Sequence, residues 1–278
     1  MRRAALMLTA LLALLTGCNQ TSPYQQKDGA WYFEQEPIAV EPGEKLTALN
    51  HRFAKSERRA FHRSTPIEGA DAASFEALDD HYARDRRRVY WAQTYRDGSE
   101  YFLIPKSRVR VLEGALPHSF RLISQGYATD GRTLWHEGVA FPVRDLGTFE
   151  PLDDGFARDR VRGYYMQTEV PGSDGATFEA LDSHYARDAK SIFHARLETD
   201  GGAHPPKAEF RLIRGEGVDS FKVLGDGYAS TGTLVLHDGL PIEGADAASF
   251  RVLETPTEGA DAADARSRYL DGKRIGAA

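Results

Sequence analysis

The chain contains one cysteine, Cys18, in 278 residues. Beyond that position no thiol exists, which excludes disulfides, thiol catalysis and cysteine-based zinc sites for the rest of the molecule. Charge of one sign is not concentrated either. The formal net charge is −6, and no Lys/Arg face or long basic tract stands out. DNA and RNA are thereby excluded as expected partners, because a phosphate backbone calls for a positive field. The longest basic run, Arg86-Arg87-Arg88, sits beside Asp79, Asp80 and Asp85 and reads as a solvated turn. Long apolar runs are also missing. Outside Ala4 to Leu15, no stretch approaches the ~20 apolar residues of a membrane helix. Common enzyme signatures are absent: no Gly-x-Ser-x-Gly elbow, no His-Glu-x-x-His and no phosphate-binding glycine loop. The expectation is a protein that is not an enzyme and needs no cofactor.

The first seventeen residues have the layout of a secretory signal: Arg2 and Arg3, then a short apolar core. They end in Leu15-Thr16-Gly17-Cys18, which resembles the lipobox of bacterial lipoproteins. The resemblance implies a diacylglyceryl group on the Cys18 thiol, cleavage after Gly17 and acylation of the new amino terminus. Two or more acyl chains anchor stably where one anchors weakly. The alternative is an ordinary signal peptide with a chance cysteine. Removing Arg2 and Arg3 takes the formal charge from −6 to −8. Asn19 to Lys27, rich in Gln, Ser and Thr, reads as a tether between lipid and fold. Asn19 rather than Asp after the cysteine favours the outer membrane as the address. The expected organisation is a signal peptide (1–17), a lipidated N-terminus and tether (18–27), and a single repeat domain (28–278). The last, with no disulfide, must be held by packing alone; about 260 residues suffice for a large core.

What the chain has in quantity is repetition. Phe120, Phe149 and Phe178 follow one another at intervals of 29 residues; so do Phe221 and Phe250, and Leu46 and Phe75. Each copy opens with Phe-x-x-Leu-x-x-x-Tyr-Ala-x-Asp, runs into an apolar triplet such as Val89-Tyr90-Trp91, and closes with Pro-Ile-x-Gly-Ala-Asp or a variant. Triplets run from Trp31-Tyr32-Phe33 to a degenerate Arg268-Tyr269-Leu270, and the first and last units read as incomplete caps. A unit this short buries its apolar face only against its neighbours.

The triplets, rich in Val, Ile, Tyr, Trp and Phe between Gly, Pro and Asp, are strand language. The opening segment is ambiguous. Phe75, Leu78, Tyr82 and Ala83 have helical spacing, but equivalent positions elsewhere hold Pro151, Gly126, Gly155, Gly225 and Gly227. The reading consistent with all copies is a strand with a bulge or bend near the glycine, the alternative being that the copies around Phe75 and Phe178 start with a helical turn. The expected fold is therefore all-β: tandem β-hairpin repeats of about 29 residues in an elongated or curved array, a mixed α/β solenoid being the alternative.

Two copies carry insertions, near 95–116 and 196–218. Both read as lengthened hairpins. In one, Val89 to Tyr95 and Tyr101 to Ile104 flank an Asp97-Gly98 turn. In the other, Ile192 to Leu197 and Phe210 to Ile213 flank Asp200-Gly201-Gly202. The insertions follow two nearly identical segments, 75–85 and 178–188, so a longer duplication overlies the short one.

Tyr82-Ala83-Arg84-Asp85-Arg86-Arg87-Arg88-Val89-Tyr90-Trp91 resembles the motif of the bacterial DKNYY family, Tyr-Ala-Lys-Asp-Lys-Asn-x-Val-Tyr-Tyr. Gly163-Tyr164-Tyr165 after Asp159 keeps the tyrosine pair, and Ala-Asp ahead of Ser-Phe (70–75, 245–250) fits the connector. The motif Asp is missing at Ser56 and Thr231. The resemblance covers nearly all of the chain from about Lys27. It implies envelope proteins and no established activity.

Four sets of residues are candidates for chemistry. Asp85, Asp130, Asp159 and Asp188 form one column, and Asp71, Asp145, Asp174 and Asp246 another. Stacked carboxylates could bind Ca²⁺, but one Asp per column per copy fits backbone-capping Asx turns better. His62, His136, His194 and His237 form a column after the triplet aromatic, interrupted by Trp91 and Tyr165. In register they could hold a transition metal, yet a His beside an aromatic is ordinarily a half-buried strand residue. His81 and His184 match each other through the duplication alone. Asp79-Asp80 and Asp153-Asp154 could act as acid and base in a glycosidase, but adjacent strand residues face opposite sides. No catalytic or metal residue is therefore assigned; the site residue is Cys18. The expected function is a non-catalytic, membrane-anchored envelope scaffold with a protein partner, a cell-wall or glycan hydrolase or a metal-binding protein being the alternatives.

Overall fold

Each copy of the sequence period becomes one small antiparallel sheet in the computed structural model, which describes residues 22–96, 105–198, 207–214, 217–257 and 259–277. The leader, Cys18, the two turns expected in the insertions and the strand expected over 101–104 lie outside the described residues. Among the described residues there are eight sheets, all simple meanders of consecutive strands, and no α-helix. The fold is all-β, and the mixed α/β alternative falls. The chain divides between Ala73 and Ser74 into two compact units.

The first unit holds two sheets. One is β1 (Tyr24–Lys27), β2 (Ala30–Phe33) and β3 (Glu36–Ile38). The other is β4 (Thr47–Ala48), β5 (Phe53–Lys55), β6 (Ala60–His62) and β7 (Thr65–Pro66). Its core is Tyr24, Phe33, Ile38, Leu46, Ala54 and Phe61. β1 corrects the tether reading of 24–27. Tyr24 is buried 5.0 Å from the Phe33 ring and donates its hydroxyl to the Arg52 carbonyl, so these residues belong to the fold.

The second unit holds six sheets of four strands. The third sheet is β8 (Glu76–Ala77), β9 (Tyr82–Arg84), β10 (Val89–Tyr95) and β11 (Lys106–Val111). The fourth is β12 (Arg121–Leu122), β13 (Tyr127–Thr129), β14 (Leu134–His136) and β15 (Val139–Phe141). The fifth is β16 (Glu150–Pro151), β17 (Phe156–Arg158), β18 (Gly163–Tyr165) and β19 (Thr168–Glu169). The sixth is β20 (Glu179–Ala180), β21 (Tyr185–Arg187), β22 (Ser191–Leu197) and β23 (Ala208–Arg214). The seventh is β24 (Lys222–Gly225), β25 (Tyr228–Ser230), β26 (Val235–His237) and β27 (Leu240–Pro241). The eighth is β28 (Arg251–Thr257), β29 (Ala260–Ala263), β30 (Ser267–Leu270) and β31 (Lys273–Ala277).

In the seven four-stranded sheets the expected hairpin is the central pair, and a strand is added on each side. The Tyr-Ala strand pairs with the triplet so that a buried alanine faces the central triplet residue: Ala83 opposite Tyr90, Ala128 opposite Trp135, Ala157 opposite Tyr164. Small against large is how strands fill a core without voids. The helical turn expected at the start of the copies around Phe75 and Phe178 is absent, both segments running strand, bend, strand; among the described residues a 3-10 turn occurs at Leu146–Thr148. The bulge expected near the glycines appears at Val223/Gly225; in other copies Gln125-Gly126 and Asp154-Gly155 make tight turns with positive φ. Nor is the last copy a fragment, since the eighth sheet has four strands.

Candidate functional site

The motif aspartates sit where the Tyr-Ala strand turns into the triplet. Each is nearly inaccessible to solvent. In Asp159 one carboxylate oxygen accepts the backbone N–H groups of Val161 and Arg162, at 2.7 and 2.8 Å. The other accepts the Asp145 N–H at 2.8 Å and the Tyr164 hydroxyl at 2.6 Å. Burial pushes this carboxyl up in pKa, and these four hydrogen bonds outweigh it and hold it below the usual range. Asp85 caps its turn the same way and accepts from Tyr90 at 2.7 Å. Asp130 caps through Arg132 and Thr133, and Asp188 through Lys190. Where the motif Asp is absent, a hydroxyl replaces it: Ser56 accepts from Arg58 and Arg59, and Thr231 from Leu234.

The second aspartate column belongs to the same device. Asp145, Asp174 and Asp246 donate their backbone N–H to Asp159, Asp188 and Asp264, which ties each connector to the turn that follows. Their own carboxylates cap the connector turn at Gly147, Ala176 and Ala248. Both columns thus carry the turn chemistry read from the sequence.

Three members of this device went unread. Asp264 and Tyr269 repeat the Asp-x-x-x-x-Tyr spacing of Asp85/Tyr90 and Asp159/Tyr164, with a 2.7 Å bond, in the copy whose triplet is degenerate in sequence. Burial opposes the charge on Asp264, but four donors, the N–H groups of Asp246, Arg266 and Ser267 and the Tyr269 hydroxyl, bring its pKa down to about 2. The Ser or Thr before the opening Phe accepts the N–H that follows the motif Asp, from Arg86 on Ser74, Arg160 on Thr148 and Ala189 on Thr177. The arginine of Tyr/Phe-Ala-Arg pairs with the opening Glu: Arg84 with Glu76, Arg158 with Glu150, Arg187 with Glu179. Recurrence at fixed phase was the available signal for all three.

The histidine column does not converge. His136 stacks on Tyr127 at 4.2 Å and meets the Gln167 amide at 2.8 Å. His194 lies under the Gly239 turn of the next sheet, and His237 under the Gly272 turn. His62 is buried against Phe53 in the first unit. His81 and His184 are turn residues of their copies; His184 lies 6.1 Å from the His194 ring. Among the described residues no three His, Cys, Asp or Glu side chains group to hold a metal ion. The paired carboxylates are likewise separated by role. Asp79 caps the turn at His81 and Tyr82, while Asp154 sits at positive φ in a tight turn.

The lengthened hairpins carry side chains that the repeat does not use. On one face of β10 and β11, Trp91, Gln93 and Tyr95 stand opposite Arg110, Arg108 and Lys106. The Arg108 guanidinium lies 4.5 Å over Tyr95, and that of Arg110 lies 4.6 Å over Trp91. At the equivalent face of β22 and β23, His194 and Arg196 stand opposite Arg211 and Glu209. Arg196 is paired with Glu209 at 2.6 Å, and Arg211 donates to the Asp238 carbonyl. These residues, with Lys207 and Phe210, line a shallow groove.

No curated protein and no solved structure matches the chain. A family model does: the DKNYY family matches residues 53–197, more than half of the chain. The match spans the Asp-to-Tyr turns of Asp85 and Asp159 and the duplicated segments, and on that ground this repeat protein belongs to the DKNYY family.

Proposed function

We propose that this protein is a non-catalytic lipoprotein of the bacterial cell envelope whose repeats act as a scaffold and whose inserted hairpins bind a protein partner. One observation carries the reading. The side chains that recur from copy to copy are consumed by capping turns and joining connectors, while the two breaks in the period lengthen strands and expose cations. In repeat proteins, binding is placed on such departures from the period. The Leu15-to-Cys18 segment supports a lipid anchor, and the lack of any further cysteine suits a fold held by packing.

The test replaces 95–116 and 196–218, separately, by tight turns and runs a crosslinking pull-down on intact cells. Partners recovered with the wild type are expected to vanish with one or both replacements. Cys18→Ser is expected to release the protein from the membrane fraction and abolish palmitate labelling. If no partner is recovered and the purified protein degrades peptidoglycan in a way that Asp79→Asn or Asp153→Asn abolishes, the scaffold reading fails. Continued membrane fractionation and palmitate labelling of the Cys18→Ser protein would sink the anchor.

A further inference from the structure

We infer that the outer edge of β11 accepts an extended acidic segment of a partner protein as an added strand. The inference rests on the reading of the inserted hairpins as binding elements and specifies the partner's chemistry at one of them.

The edge itself is the first observation. β11 pairs with β10, and no strand covers its other side among the described residues. Leu112 donates its N–H to the Val89 carbonyl, which fixes the parity of the ladder. Residues 108 and 110 therefore turn their backbone groups towards β10, and 109 and 111 turn theirs outward. Such an edge is a template for an incoming strand.

The charge is the second observation. Lys106, Arg108 and Arg110 are all exposed on one face at alternate positions. Two residues along a strand span about 7 Å. An added strand with carboxylates at every second position would set one beside Arg108 and one beside Arg110. The local sign opposes that of the whole chain, whose net charge is −6.

The third observation separates this face from the other strand arginines. Arg84, Arg158 and Arg187 each pair with a glutamate of their own sheet, and in the twin hairpin Glu209 neutralises Arg196. Glu209 occupies the place that Arg108 occupies here. Among the described residues, Arg108 and Arg110 have no carboxylate partner; they are held over aromatic rings instead. The twin shows that a hairpin of this design folds with its charge cancelled. Unpaired arginines are therefore no requirement of the hairpin, and the rings hold them ready for a carboxylate. Cations on an edge also deter aggregation, and the test must divide the two roles.

Full-length protein in detergent is titrated with a fluorescein-labelled Glu-Val-Glu-Val-Glu-Val peptide, its Lys-Val counterpart and an oligogalacturonate. The acidic peptide is expected to bind, more weakly as salt rises, and the basic one not to bind. Arg108→Glu with Arg110→Glu is expected to weaken binding at least tenfold. Val109→Pro is expected to do the same. It removes an outward N–H and leaves the β10–β11 ladder intact, so it tests the edge even if the charge reversal fails to fold. Wild-type affinity in the Val109→Pro protein overturns the added strand, and full competition by oligogalacturonate together with that result marks a glycan surface. A bare absence of peptide binding at millimolar concentration overturns the inference too. If partners are still lost on replacing 95–116 while the peptide does not bind, the scaffold function stands and the acidic strand falls.

Discussion

At the scale of single residues, Asp159 shows why the motif spells Asp and Tyr five positions apart. A four-residue turn leaves two N–H groups and one buried carboxylate, and the tyrosine at the centre of the next strand returns its hydroxyl to that carboxylate. Hydrogen bonds to a charged group are worth roughly 1.5–3 kcal/mol each, so the unit offsets the cost of burying the charge. The capping role was legible in the sequence because Asp at a strand end has that chemistry everywhere. The tyrosine's part was not, because it depends on which way a strand residue points. His194 supplies a test at this scale. It is 1% exposed, and its Nε2 has no hydrogen-bond partner. Burial lowers its pKa to about 4; Arg211, His184 and Arg196 act in the same direction, and Asp238 opposes them. In the unfolded chain a histidine titrates near ~6.5, so between these values the unfolded state binds a proton that the fold refuses. Stability is therefore expected to fall as pH drops from about 6.5 to about 4, by roughly 2 kcal/mol from this group. His194→Phe keeps a ring where other copies hold Trp91 and Tyr165, and is expected to remove that part of the loss. Urea unfolding at pH 7.5 and 4.5 measures it; an equal loss in both proteins would mean that His194 is solvated.

At the scale of elements, the tight turns set the sheets. Glu137-Gly138, Asp238-Gly239 and Asp271-Gly272 have positive φ at both central positions, the geometry that suits a two-residue hairpin. Three of these glycines also seat the turn on the preceding sheet. A Cβ at Gly138 would lie 2.4 Å from the Trp91 ring, and one at Gly239 or Gly272 would strike His194 or His237. Gly114 has a similar φ and open space around it. Gly114→Ala is therefore expected to cost about 1 kcal/mol, the backbone penalty alone. Gly138→Ala adds overpacking and should cost roughly 3 kcal/mol or more. Denaturant midpoints compare the two, and equal costs would show that the turn does not bear on the ring. The central hairpins were legible because their strands are long enough to show composition. Several flanking strands, such as Glu76–Ala77, Arg121–Leu122 and Glu179–Ala180, are two residues long and carry no periodicity. The helical spacing of Phe75, Leu78 and Tyr82 has another cause. Asp79 folds the chain back, so Phe75 reaches the core from just before β8 and Tyr82 from β9.

At the scale of the second unit, the sheets are coupled pairwise. Tyr82 donates to the Gly126 carbonyl and accepts the Gly138 N–H, both in the next sheet. Tyr185 bridges to Gly227 and Gly239, and burial pushes its pKa up to about 12. Tyr228 bridges to Asp261 and Gly272. The copy with Phe156 in place of the tyrosine lacks this hydroxyl; Arg158 reaches the Phe178 carbonyl there, as Arg84 reaches that of Phe120 beside Tyr82. The period of about 29 residues announced stacking, since no unit has a core of its own, but the hydroxyl that joins each pair lies in a strand otherwise read as apolar. Coupling of this kind makes stability a sum of nearest-neighbour contributions. Tyr228→Phe leaves the Gly272 N–H without its acceptor, at a cost of about 1–2 kcal/mol. In a nearest-neighbour fold that loss stays local. Hydrogen exchange should quicken in β24 to β31 and remain unchanged in β8 to β15, because the intervening sheets keep their own bridges. A uniform loss of protection from β8 to β31 would instead show one cooperative core, in which the repeat governs shape but not energy.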